Sequence, residues 1–162
     1  MEILTLAQTM ELEGKAYYEQ LAAETEIAAL KGAFTFLAVQ EQGHYELFKA
    51  MEQGQQSATI ANDVTLGEKV KEFFSSLDAS FALPEVIYDY QTAYGKALAM
   101  EKESIRMYTD LAAEVSADGK ETVELIIAQE KGHVRLIESL IDFMGNTKSW
   151  LENAEWRNID AY

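Results

Sequence analysis

Two glutamate–histidine pairs, Glu41 with His44 and Glu130 with His133, use up both histidines of a 162-residue chain. In each pair the histidine follows the glutamate by three residues, which on a helix stacks a carboxylate and an imidazole one turn apart on one face. A hard oxygen donor beside a borderline nitrogen donor suits a divalent transition metal. One such motif is weak evidence in a chain so rich in glutamate. The signal comes from the stripe on which each pair lies, Leu37, Glu41, His44, Phe48, Met51 in one run and Ile126, Glu130, His133, Ile137, Leu140, Met144 in the other. Charged groups at core positions cost several kcal/mol unless something compensates them, and a bound cation is a common compensation.

Two further glutamates interrupt apolar stripes in the same way. Glu101 falls within Tyr94, Leu98, Ile105, Tyr108, Ala112 and Val115, and Glu11 falls among Leu4, Ala7, Gly14, Tyr18 and Leu21. The segment Met10-Glu11-Leu12-Glu13, Tyr18, Leu21-Ala22-Ala23-Glu24 returns as Met100-Glu101-Lys102-Glu103, Tyr108, Leu111-Ala112-Ala113-Glu114. The spacing is 90 residues there (11 to 101) and 89 at the histidines (44 to 133), so a whole helical hairpin is duplicated. Its two copies pack with pseudo-twofold symmetry and bring two copies of one site together. One Glu from each of two helices and a Glu-x-x-His from each of two others is the donor set of carboxylate-bridged di-iron and di-manganese bundles. Four carboxylates cancel the charge of two divalent ions, and carboxylates bridge ions about 3.5 to 4 Å apart. The assignment that follows makes Glu41 and Glu130 bridging, Glu11 and Glu101 terminal, and gives His44 and His133 one to each ion. Glu13 and Glu103 are the rivals for the terminal roles, but two residues is about 200° of helix, so they do not face inward together with Glu11 and Glu101. Tyr18 and Tyr108 are placed to hydrogen-bond ligating carboxylates. Gln40 and Gln129 stand four residues before the histidines, with an exposed face as the favoured reading. The recurrence of Gly43 and Gly132 suggests close helix approach beside the site.

The elements that position these residues read as an all-α four-helix bundle. Helices are expected from Leu4 to about Glu26, from about Ala29 to Gln53 with a stop at Gly54, from about Glu85 to Val115, and from about Glu121 to Met144. Ser116-Ala117-Asp118-Gly119 reads as the break before the fourth helix and Gly145 as its C-cap. Residues 54–83 read as a long crossover carrying a short amphipathic helix at about 66–77, with Pro84 at a helix start. A short tail helix at about 150–155, with Trp150 and Trp156, is expected to cap the bundle.

Composition narrows the function. A chain of this length is expected to form one domain with its own core. With 28 acidic and 13 basic residues the net charge is −15, which repels nucleic acid and anionic membrane and concentrates cations. The absence of cysteine excludes disulfides, iron–sulfur ligation and thiolate catalysis within this sequence. No apolar run is long enough to span a bilayer, and Met1-Glu2-Ile3-Leu4-Thr5 lacks the basic region of a signal peptide, so the expected address is the cytoplasm.

Over essentially its whole length the sequence resembles the ferritin-like superfamily, and specifically stand-alone rubrerythrin-like proteins. The resemblance rests on the Met-Glu-x-Glu-x-x-x-x-Tyr-x-x-Leu-Ala pattern from Met10 and from Met100, both Glu-x-x-His pairs, the long crossover and Trp150-Leu151-Glu152. It implies a di-iron four-helix bundle, usually a homodimer, that reacts Fe(II) with peroxide or dioxygen. Two departures stand out. Rubrerythrins proper carry a four-cysteine rubredoxin domain, so here electrons are expected from a separate donor such as a rubredoxin or flavoprotein. The additional glutamate that rubrerythrins place one turn after the third-helix ligand is Ser104 in this sequence.

Three readings follow. The first is a redox enzyme with two iron ions, manganese or a mixed pair being permitted by the same ligands, that oxidises Fe(II) in oxidative-stress defence or iron handling. The second is iron storage or delivery without turnover. The third is a metal-free adaptor bundle, for which Glu41→Ala raises thermal stability by relieving a buried charge.

Overall fold

The structure, a computed structural model, describes the backbone of residues 2–55 and 90–159 and the side chains of 2–55 and 90–146. Four helices fill this range: α1 (Glu2–Glu24), α2 (Ala28–Glu52), α3 (Tyr90–Glu114) and α4 (Ala117–Ile159). Packing is most extensive within the hairpins α1/α2 and α3/α4, and the hairpins meet through α1 against α3 and α2 against α4. The fold is therefore the expected bundle of two related hairpins. The crossover, the helix expected at 66–77 and Pro84 lie outside the described residues. Among the described residues no helix is long and apolar enough to cross a membrane.

Sequence explains how α2 is bounded at both ends. Three residues join α1 to α2, with the Ile27 amide donating to Thr25 Oγ1 at 3.3 Å. Gly54 ends α2 with φ +66°, its amide reaching Met51 O at 3.1 Å while Gln55 N reaches Ala50 O at 3.0 Å, the left-handed stop that glycine adopts without strain.

Two expected boundaries are corrected. The turn between α3 and α4 is shorter than Ser116-Ala117-Asp118-Gly119 suggests, because Ser116 acts as the N-cap and its Oγ accepts from Gly119 N at 3.3 Å. Ala117, Asp118 and Gly119 thus form the first turn of α4. At the other end α4 does not stop at Gly145. Among the described residues only Gly54 has positive φ, so Gly145 stays helical, at a cost of about 1 kcal/mol relative to alanine. The residues expected as a separate tail helix continue α4 without a break to Ile159. The side chains of Trp150 and Trp156 lie outside the described range.

The core is split into two apolar layers. One holds Tyr18, Leu21, Leu30, Phe34, Leu37, Tyr94, Leu140 and Met144, and the other holds Ala7, Phe48, Tyr108, Leu111, Val123 and Ile126. Each large side chain fully removed from water contributes about 1.5 to 3 kcal/mol. On every helix the residues of the two layers bracket a stretch between them: 7 and 18 on α1, 38 and 48 on α2, 97 and 107 on α3, 127 and 136 on α4. The four glutamates and two histidines fall in those stretches, so the bundle's middle is polar while both flanks are sealed by hydrocarbon.

Candidate metal centre

Glu11, Glu41, His44, Glu101, Glu130 and His133 are all buried, and Glu130 is 0 % exposed. Their donor atoms form two sets: Glu11, Glu41, His44 and Glu130 in one, Glu41, Glu101, Glu130 and His133 in the other. Within each set the atoms lie within 4.8 Å of one another. Glu41 and Glu130 belong to both. His44 Nδ1 is 3.0 Å from Glu130 Oε1 and 3.4 Å from Glu11 Oε2. His133 Nδ1 is 3.1 Å from Glu130 Oε2, 3.2 Å from Glu41 Oε1 and 3.5 Å from Glu101 Oε1. The imidazoles stack across the pseudo-dyad with centroids 5.6 Å apart. Glu13 and Glu103, the rivals for the terminal positions, are exposed.

Whether these groups suit a pair of cations is answered by atoms that lack partners. Glu11 Oε2, Glu41 Oε1, Glu130 Oε1 and His44 Nδ1 are buried without a hydrogen bond. A buried polar atom left unmet costs about 1 to 3 kcal/mol, and here four of them converge. His44 Nδ1 and Glu130 Oε1 are close without the angle that would close a hydrogen bond, as befits donors aimed at a shared point between them. The donor set fits two divalent ions.

Electrostatics tells the same story in protons. Burial, and then repulsion from Glu130, Glu11 and Glu101, pushes the Glu41 carboxyl well above the usual range. Burial and Glu130 push Glu101 up to about 8, with His133 opposing. Burial also works to raise Glu130, yet the charge of His44 and hydrogen bonds from Glu101 and His133 hold it well below the usual carboxylate range. For His44 burial disfavours the charged ring, but the carboxylates of Glu130 and Glu11 more than offset this and raise it. His133 is raised likewise against its burial, chiefly by Glu101. Protons thus stand where metal charge would otherwise sit.

The supporting contacts cross between hairpins. The Tyr18 hydroxyl donates to Glu101 and the Tyr108 hydroxyl to Glu11, so each tyrosine serves the carboxylate of the opposite helix. Burial first, and the anions second, keep both phenols protonated and able to donate. Gln129 departs from the expected exposed face: His44 Nε2–H donates to its Oε1 at 2.7 Å, which turns Nδ1 toward the carboxylates. Among the described residues Gln40 makes no matching bond to His133. The close approach expected at Gly43 is not found, since an added Cβ there meets nothing within 4 Å.

A family model, Rubrerythrin, matches residues 2–141. The chain belongs to the rubrerythrin family. No curated protein and no solved structure matches it significantly. This rubrerythrin-family chain contains no cysteine and so holds no rubredoxin-type site of its own.

One positioning residue escapes a reading of charged motifs. A Cβ on Gly14 would come within 2.8 Å of Glu41 Oε2, so the missing side chain is what lets the Glu41 carboxylate lie across α1. The available signal was a glycine on the inward face, one turn after Glu11, with no glycine at its repeat partner Ser104. Because the obstructing atom ends a flexible side chain, Gly14→Ala is expected to leave thermal stability nearly unchanged while displacing that carboxylate. Affinity for Co(II) should then fall about tenfold, as when a ligand's support is disturbed. Titration monitored by visible absorption checks this, and equal affinity would remove Gly14 from the site.

Proposed function

We propose that this protein is a non-haem di-iron carboxylate oxidoreductase that oxidises Fe(II) with hydrogen peroxide or dioxygen, serving oxidative-stress defence or iron handling. The observation that carries the reading is the pair of buried four-residue donor sets joined through Glu41 and Glu130. On this reading Glu41 and Glu130 would be shared as bridging ligands between the two ions, Glu11 and Glu101 would serve as terminal ligands, and His44 and His133 would hold one ion each. Membership of a family commonly made up of peroxidases supports the reaction class. When bound, a pair of iron ions supplies two one-electron changes side by side.

The chain's own groups do the rest. Tyr18 and Tyr108 orient the terminal carboxylates, Gln129 fixes the His44 tautomer, and the two apolar layers exclude water from either side. The same donors accept manganese, so a di-manganese or mixed centre is the variant of this reading. A separate electron donor, a rubredoxin or flavoprotein, completes the cycle, and a homodimer in the cytoplasm is the proposed working form.

Anaerobic addition of two Fe(II) per chain, followed by peroxide or air, should produce near-ultraviolet absorption from the oxidised pair. Stoichiometric iron with no absorption change would end the enzymatic reading and leave storage or delivery, which the net charge of −15 favours as the second reading.

A further inference from the structure

Glu13 and Glu103 recur in the repeat, yet they take no part in the buried centre. Both line a cleft of about 430 Å³ between α1 and α3. Its walls include three pairs spaced 90 residues apart, Met10 with Met100, Glu13 with Glu103 and Gly14 with Ser104, so the cleft lies on the pseudo-dyad. Glu41 and Glu101 also line it. Glu41 is only 4 % exposed, and its Oε1 has no hydrogen-bond partner. A cleft on the pseudo-dyad therefore leads from two exposed carboxylates to an unmet buried one, and reaches a donor from each of the two sets.

Of the two carboxylates at the entrance, Glu13 stands clear of the basic groups nearby. Lys96 also lines the cleft, but its Nζ is held over the Tyr17 ring, 4.5 Å from the centroid. Arg106 engages Glu103 at 2.5 and 3.0 Å, whereas no ion pair is made by Glu13 among the described residues. At Gly14 and Ser104 the helices carry almost no side-chain bulk, while larger residues stand above and below.

We propose that this cleft is the port through which hydrated divalent cations reach the centre, with Glu13 and Glu103 meeting them at the mouth and Gly14 and Ser104 keeping the passage open. The inference rests on the metal-centre reading and adds a route to it. Glu13 and Glu103 lower the barrier to entry and are not ligands of the loaded protein.

The test follows Co(II) uptake by the full-length apoprotein in a stopped-flow instrument, with visible absorption and final stoichiometry as readouts. E13Q/E103Q is compared with the charge-matched control E46Q/E124Q, whose sites are exposed on α2 and α4. At low ionic strength E13Q/E103Q should load about tenfold more slowly than wild type, the difference shrinking as salt is added, with two ions per chain still bound at the end. The control should stay within about twofold of wild type, because general charge steering is weaker than a charge at the mouth. Ser104→Phe, which obstructs the passage without altering charge, should slow loading at every salt concentration. Equal rates for E13Q/E103Q and the control, or unhindered loading of Ser104→Phe, would overturn the port. A drop in final stoichiometry for E13Q/E103Q would also overturn it, by making these residues ligands. Wild-type protein that takes up no Co(II) would instead refute the metal centre itself.

Discussion

Glu130→Gln is expected to strip both metal ions from the protein. Glu130 is fully buried, belongs to both donor sets, and places one oxygen 3.0 Å from His44 Nδ1 and the other 3.1 Å from His133 Nδ1. Glutamine keeps the shape but removes the anion and replaces one acceptor with an NH2 group that points hydrogens at an imidazole. Affinity for divalent ions should fall by at least about 100-fold, beyond what loss of a mere supporting contact causes. The apoprotein should suffer as well, by about 3 to 5 kcal/mol, because the charged histidines lose the carboxylate that compensates them.

Glu41→Gln makes the comparison sharp. Burial and the neighbouring carboxylates push the Glu41 carboxyl well above its usual range, so a neutral amide suits this position in the apoprotein better than it suits that of Glu130. Its apoprotein stability should change by less than about 1 kcal/mol, although metal is lost as completely as in Glu130→Gln. Metal analysis per chain, with thermal unfolding in chelator, measures both quantities. Two ions retained by Glu130→Gln would break the case for shared carboxylates. A chelated Glu41→Ala protein of higher stability, paired with a wild type that binds no metal, would favour the metal-free adaptor.

What the sequence revealed, and what it hid, follows from the range of the forces involved. Helical period alone decides which side chains share a face, so the convergence of Glu11, Glu41, His44, Glu101, Glu130 and His133 was legible as breaks in apolar stripes. Helix ends depend on finer balances. Gly145 was a plausible stop, but a glycine caps only if the chain turns left-handed there, and α4 keeps its hydrogen-bonded ladder instead. Ser116 likewise reads as a turn residue until its hydroxyl is seen meeting the Gly119 amide. Contacts between hairpins were harder still. The repeat pairs Tyr18 with Tyr108 and Gln40 with Gln129, but only the packed structure shows that each tyrosine reaches across to the opposite hairpin and that only one of the glutamines has found a histidine. Gly14 was visible as an inward glycine, and its purpose required the position of a carboxylate on another helix.

Loading two divalent ions at pH 7 is expected to release up to four protons per chain. Glu41 and Glu101 hold protons above the usual carboxyl range, Glu101 up to about 8, and His44 and His133 hold theirs above the usual imidazole range. Each of these groups must give up its proton before it can donate a lone pair to a cation. The same four groups set the pH dependence of the apoprotein. Their folded-state affinities for protons exceed the unfolded ones, so the stability they contribute is complete below the unfolded pKa values, 4.5 for the carboxyls and 6.5 for the imidazoles, and is lost as pH rises through the folded values. Glu130 runs the other way, since its depressed pKa contributes stability that is lost only as pH falls through acidic values below this window. Between about pH 5 and pH 8 the apoprotein should therefore lose stability as pH rises, the slope growing with each proton held only by the folded state. With metal in excess the trend should reverse, because deprotonation that weakens the empty cluster strengthens its hold on cations. Calorimetric titration in buffers of differing ionisation enthalpy counts the protons, and thermal unfolding with and without metal across that range gives the two slopes. Parallel slopes, or fewer than about two protons released, would mean that protons and cations do not compete for these six side chains.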